Sequence, residues 1–223
     1  FKPKISIEIK PPVSVSKPEV KPEPPKPEQI IGLLEQGDFA QVREMIRKLP
    51  SSDNLIRKLN TPVRLTVKFQ YQIRGRKPSE LYPTESPQVQ GITLTHEDNY
   101  RLEIEVPNLP DPVYLYVFRK DHYGKIYRRF PDPETYSSMN LPDLKNPVQP
   151  GRTYSIPPGQ NKYVYLDELP SDEKRSIPET VYVIASPFDA KDVNAFFGKI
   201  HQESDADQRN KLMAEFIQRI KSR

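Results

Sequence analysis

The chain has 223 residues, with 26 prolines, 8 glycines, 3 histidines and no cysteine. Zero cysteine excludes disulfides, thiolate metal sites, iron–sulfur clusters and cysteine nucleophiles, and three histidines (His96, His122, His201) argue against a multi-histidine metal centre. The net charge of +4 divides as +3 over residues 1–60, −1 over 61–190 and +2 over 191–223, so no concentrated basic face favours nucleic acid.

Residues 1–28 hold eight prolines, and the stretch PEVKPEPPKPE (residues 18–28) alternates them with Lys and Glu. Proline fixes φ and removes a hydrogen-bond donor, so residues 1–27 are expected to form an extended polyproline-type strut. The composition resembles the Pro-Lys/Pro-Glu spacers of TonB-type proteins that cross the periplasm. Ahead of it, ISIEI (residues 5–9) alternates like a short strand.

From residue 28 to residue 60 the pattern turns helical. Ile30, Leu33 and Leu34 share one face, and Gly37 sits where a helix-ending glycine belongs. Asp38 with Gln41 forms a capping pair ahead of the stripe Val42, Met45, Ile46 and Leu49; Ser52 or Asp53 caps a third, short helix through Leu59. The phrase GDFAQV (residues 37–42) resembles half of a tetratricopeptide repeat, but no second copy follows at the ~34-residue period. A helical hairpin packed on the next domain is expected.

Residues 61–190 read as β structure. Alternation over residues 63–73 and 100–106 predicts half-buried strands, and residues 113–118, apolar on both faces, predict a central one. Asp121–Gly124 is a four-residue turn, with residues 125–130 returning as a hairpin. Further strands are expected at 152–156, 163–166 and 180–185, and 17 prolines fall mostly between these runs. Seven or eight short strands joined by Pro-rich connections predict a mainly β fold, an antiparallel β-sandwich with small flanking helical segments. Residues 191–223 close the chain with an amphipathic helix bearing Leu212, Met213, Phe216, Ile217 and Ile220. No apolar run approaches the ~18 residues of a membrane span, so no transmembrane segment is expected.

Five motifs occur in order: GITLT (91–95), YLYVF (114–118), GKIYRRFPD (124–132), NPVQPGRTYSIP (146–157) and ETVYVIAS (179–186). In this order they resemble the bacterial domain family DUF 4384, over roughly residues 60–190. Two departures are an insert at 167–178 and the longer turn at 121–124. The resemblance implies an accessory module of bacterial envelope or signalling proteins, and it brings no catalytic residues.

Candidate chemistry is sparse. His96, Glu97 and Asp98 are adjacent, but neighbouring strand residues point to opposite faces, so a polar turn is favoured over a metal site. Asp111, Asp121, Asp132 and Asp143 are spaced so that they could meet at one end of a sandwich, yet they lack a calcium-loop signature. A triad of Ser186, His122 and Asp121 can be drawn, without any Gly-x-Ser-x-Gly elbow. No phosphate-cradling glycine loop is present. The expectation is therefore no catalytic residues, no cofactor and no metal.

The aromatic cluster around the hairpin is the most informative feature. Tyr114, Tyr116 and Phe118 share one face of their strand, and Val113, Leu115 and Val117 the other. On the hairpin, alternation puts Ile126, Arg128 and Phe130 inward, leaving Tyr127 and Arg129 outward beside Lys125, His122 and Tyr123. His122, Tyr123, Lys125, Tyr127 and Arg129 are thus the candidate partner-binding residues.

The chain begins at Phe1 without a leader pattern, the form of an exported protein after signal removal or of an internal piece. The expected role is a non-catalytic protein-interaction or scaffold module of a bacterial cell-envelope assembly, located in the periplasm or envelope. The alternatives are a peptidoglycan- or glycan-binding module using the tyrosine face, and a hydrolase.

Overall fold

A computed structural model describes residues 25–49, 53–61, 63–131, 145–159, 161–166 and 179–221. The expected strut and the short strand before it fall outside the described residues, apart from the last positions before the first helix. Within them lie eight strands and five helices. In chain order these are α1 (Pro27–Gln36), α2 (Phe39–Ile46), α3 (Asn54–Asn60), β1 (Thr66–Gln72), β2 (Tyr82–Pro83), β3 (Asn99–Glu105) and β4 (Tyr114–Lys120). They continue with β5 (Ile126–Phe130), β6 (Thr153–Ile156), β7 (Val164–Tyr165), β8 (Thr180–Ser186), α4 (Lys191–Gln202) and α5 (Ala206–Lys221).

The strands form two antiparallel sheets, giving the mainly β, sandwich-like fold expected. One runs β2-β1-β3-β6, with β7 also pairing with β3; the other runs β5-β4-β8. Because side chains alternate across a strand, each sheet sends one set inward. Tyr100, Leu102 and Ile104 of β3 and Tyr154 and Ile156 of β6 meet Leu115 and Val117 of β4 in a buried core, lined by Val67, Phe69 and Tyr71 of β1 and Val181, Val183 and Ala185 of β8. Phe69 stacks on Tyr100 at 5.3 Å between ring centroids.

The opposite face of the three-stranded sheet is equally apolar and needs its own cover. Tyr116, Phe118, Ile126 and Ile184 are buried under Val193 and Ile200 of α4 and Phe216 of α5, with Phe118 edge-on to Phe216 at 5.0 Å. Each such side chain contributes about 1.5–3 kcal/mol when fully buried. Where one C-terminal helix was expected, the structure has two: residues 203–205 break the run, and Asp205 caps α5 by accepting from the Gln208 N–H at 2.7 Å. Tyr116 pins the layer to the sheet. Its hydroxyl donates to the Asp189 carboxylate and accepts the Ala190 N–H at 3.1 Å, and burial first, then that carboxylate, push its pKa far above the ordinary phenol value.

The helical hairpin forms as its sequence signals indicate. Gly37 ends α1 at φ +76°, Asp38 caps α2 by accepting the Gln41 N–H at 3.1 Å, and Asp53 caps α3. A side chain at position 37 would run into the Asp192 carboxylate, so glycine is required there for space as well as for φ. Ile30, Leu34, Val42 and Leu55 enclose Phe188, and Lys191 reaches Glu35 at 2.6 Å, so the hairpin packs beside the start of α4.

The β4–β5 hairpin departs from strict alternation. Val117 pairs with Phe130, but Phe118 pairs with Arg128, leaving Arg129 as the extra residue of a β-bulge. Ile126 and Arg128 therefore face the helices, Arg128 lying over the Phe197 ring at 5.2 Å, while Phe130 turns to the other face against Tyr154. The expectation that Ile126, Arg128 and Phe130 share one face is corrected by this single inserted residue. Beyond the end of β5, the Asn146 amide takes over the ladder, accepting from the Leu115 N–H at 3.0 Å and donating to its carbonyl at 2.9 Å. No helix among the described residues is long and apolar enough to cross a membrane.

The His96-Glu97-Asp98 turn is a structural clasp before β3. Buried Asp98 accepts the Thr95 and Arg74 N–H groups at 2.7 and 2.9 Å, and Glu97 pairs with the Arg74 side chain. Burial raises the Asp98 pKa, but those two amides, the Thr95 hydroxyl and His96 together hold it below the usual carboxylate value. A depressed folded-state pKa means its stabilisation is complete above the ordinary range near ~4 and is lost as pH falls through the folded value. Asp98→Asn is thus expected to be less stable than the parent at about pH 7, the gap closing below about pH 4. Urea melts across that range measure it; a gap independent of pH contradicts the clasp.

Candidate functional site

The hairpin turn is closed by its own backbone. The Asp121 N–H donates to the Lys125 carbonyl and the Gly124 N–H to the Asp121 carbonyl, both at 3.0 Å, while the buried Asp121 carboxylate accepts the Lys125 N–H at 2.8 Å. Gly124 lies at φ +81°, which the turn requires and a side chain resists. The tip is thereby a fixed platform.

Beneath it lies an arginine in the inward register of β4, two positions beyond Val117. Arg119 is 1% exposed and donates two 2.7 Å hydrogen bonds, from Nε and Nη2, to the two carboxylate oxygens of Glu179, with a longer 3.4 Å bond to the Tyr165 carbonyl. Such a planar fork fixes both partners in position as well as in charge. Because Glu179 immediately precedes β8 and Tyr165 ends β7, this one guanidinium ties the two sheets together at one end of the sandwich.

His122 packs against the same carboxylate, with Nδ1 3.6 Å from Glu179, and its ring lies 3.9 Å from that of Tyr123. The His122 side chain is only 3% exposed, and its Nε2 is buried with no hydrogen-bond partner among the described residues. The expected outward position of His122 is corrected: the closed turn folds its ring back over the sandwich end. Tyr127 and Arg129 are half-buried rather than outward. The Tyr127 ring is bracketed by Arg119 at 5.7 Å, Arg129 at 5.2 Å and Lys125 at 4.9 Å. Cations over a phenol face gain about 0.5–1 kcal/mol each at such partly wet sites.

Four of the five residues named from sequence therefore surround one point, with Tyr123 at its rim. Three that sequence reasoning did not name complete it: Arg119, Glu179 and Tyr165. Arg119 carried a readable signal, since a charge in phase with Leu115 and Val117 has to find a buried partner. Tyr123, at 63% exposure, and Tyr165, at 67%, are the two large hydrophobic residues that stand exposed among the described residues. Both belong to this end of the sandwich, joined through Arg119, Glu179 and His122.

Other sequence candidates do not assemble. Tyr114 pairs with Ser186 and Lys120 with Thr180, so Ser186 and His122 lie at opposite ends of β4, roughly 20 Å apart at ~3.4 Å per residue. The Ser186 hydroxyl accepts the Phe188 N–H. Asp111 and Asp121 also flank opposite ends of β4, while Asp132, Asp143 and the 167–178 insert fall outside the described residues. The tyrosine face expected for a glycan is covered: Tyr116 and Phe118 are fully buried and Tyr114 packs against the same helical layer. A cleft at the far end, between α3 and the loop before β4, is lined by Arg57, Lys58, Leu109, Pro110 and Pro187. No protein-family model matches the chain, and no curated protein or solved structure matches it either.

Removing one member of a buried ion pair strands the other, typically at about 3–5 kcal/mol. Glu179→Gln is expected to destabilise the fold by about that much, discounted towards ~3 kcal/mol by Glu179's residual exposure. Arg119→Met combined with Glu179→Leu should recover most of the loss. Denaturant melts of the single and double variants decide it; additive losses contradict the pairing.

Proposed function

We propose that the chain is a non-catalytic protein-interaction module of a bacterial cell-envelope assembly, and that the sandwich end bearing Tyr123 and Tyr165 is its contact surface. The observation that carries the reading is that both exposed tyrosines are tied to one buried Arg119–Glu179 pair, Tyr123 through the His122 ring and Tyr165 through its backbone carbonyl. Aromatic side chains held on a rigid base lose little freedom on binding, and Tyr and Arg are the residue types enriched at interface hot spots. Envelope placement rests on the ordered motifs resembling DUF 4384 and on the Pro-Lys/Glu segment, the two sequence features that point to that compartment.

The test immobilises the full chain and exposes it to envelope extract of the bacterium that encodes it. Tyr123→Ala and Tyr165→Ala are each expected to weaken capture by about 1–2 kcal/mol, as interface truncations do, and the double variant to abolish it with unchanged melting. Phe130→Ala serves as the contrast: it should cost about 3–5 kcal/mol of fold stability, as core aromatic truncations do. Capture that persists in the folded double variant overturns the surface. Co-sedimentation of the wild type with purified peptidoglycan would instead favour a glycan-binding module.

A further inference from the structure

Charge at this end of the sandwich is unevenly satisfied. Glu179 neutralises Arg119, and the Asp121 carboxylate is engaged by the Lys125 backbone N–H. Lys125 and Arg129 lie within 5.2 Å of the Tyr127 ring, yet among the described residues neither has an ion pair, and the Arg129 Nε is buried without a hydrogen-bond partner. The bulge leaves Arg129 without a cross-strand partner on β4, beside Tyr127. Two cations are thus held against one aromatic ring with no ion pair among the described residues.

Resting on the reading above, we propose that this surface receives an acidic peptide segment of its partner, with a carboxylate seated between Lys125 and Arg129 on the edge of Tyr127. A guanidinium steadied by stacking presents its remaining N–H edge to a carboxylate in the planar geometry that suits it, and the ammonium adds a point charge. The exposed ring of Tyr123, on the turn itself, supplies contact area beside it. Two cations at one ring, neither with an ion pair among the described residues, suit one or two carboxylates. A phosphodiester backbone or an anionic bilayer gains its affinity from many cations together, whereas the described residues here offer two without an ion pair.

The probe is a dye-labelled peptide of about ten residues alternating Glu with Gly and Tyr, with matched Gln and Lys peptides, titrated against the full chain by fluorescence anisotropy. Binding of the Glu peptide alone is expected, weakened about three- to fivefold by Lys125→Gln or Arg129→Gln and about tenfold or more by the pair, the range of partly exposed ion pairs. Added salt should weaken it further, and Arg57→Gln at the far cleft should leave it unchanged. Thermal melts of each variant exclude unfolding. Equal binding of the Gln peptide, or Arg129-dependent binding to phosphatidylglycerol vesicles without binding of the Glu peptide, overturns the inference. If Tyr123→Ala/Tyr165→Ala abolishes extract capture while no acidic peptide binds, the contact surface stands and the acidic ligand falls. If capture survives that double variant, the surface reading itself falls.

Discussion

The architecture follows from the fact that β4 is buried on both faces. A strand whose two side-chain sets are both apolar cannot be covered by a single layer, so Leu115 and Val117 take the five-stranded sheet and Tyr116 and Phe118 take α4 and α5. The helical layer is thus the second half of the core. The same requirement explains the contact between Tyr116 and the Asp189–Ala190 segment: a phenol placed inside must find partners, and the start of α4 supplies them.

Where β4 leaves the core, its inward register continues onto Arg119, and the packing problem becomes an electrostatic one. The bidentate bond to Glu179 satisfies the guanidinium, while the contact with the Tyr165 carbonyl ties the second sheet to it. A buried ion pair contributes little net stability over an apolar substitute, but its geometry tolerates no slack. It holds the hairpin, the β7 end and the start of β8 in one arrangement. That rigidity gives an otherwise ordinary turn a defined aromatic and basic surface.

Much of this was readable residue by residue. Period-2 alternation placed β1 and β3, the apolar run placed β4 at a sheet centre, and Gly37, Asp38 and Asp53 marked helix ends through local backbone chemistry. Two-residue β2 was not readable, because Tyr82 and Pro83 have no period to detect; their pairing with Phe69 and Lys68 is an accident of where the loop returns. Nor was the separate α4, whose sparse apolar positions acquire meaning only under the sheet they cover.

The candidate site divides along the same line. Sequence alone determined which residues the hairpin carries, that Asp121–Gly124 makes its turn, and that aromatic and basic side chains gather there, because these depend on neighbours a few positions apart. It could not determine which way they point. A β-bulge is one extra residue in a pairing, so it exists only relative to the partner strand, and it is the bulge opposite Val117 and Phe118 that parts Phe130 from Ile126 and Arg128 and turns it to the other core. The meeting of Arg119 with Glu179, 60 residues away, and with Tyr165 likewise depends on how two sheets stack. Alternation is local and can be read along a chain; the register between strands and the pairing of buried charges are decided only when distant segments are packed together.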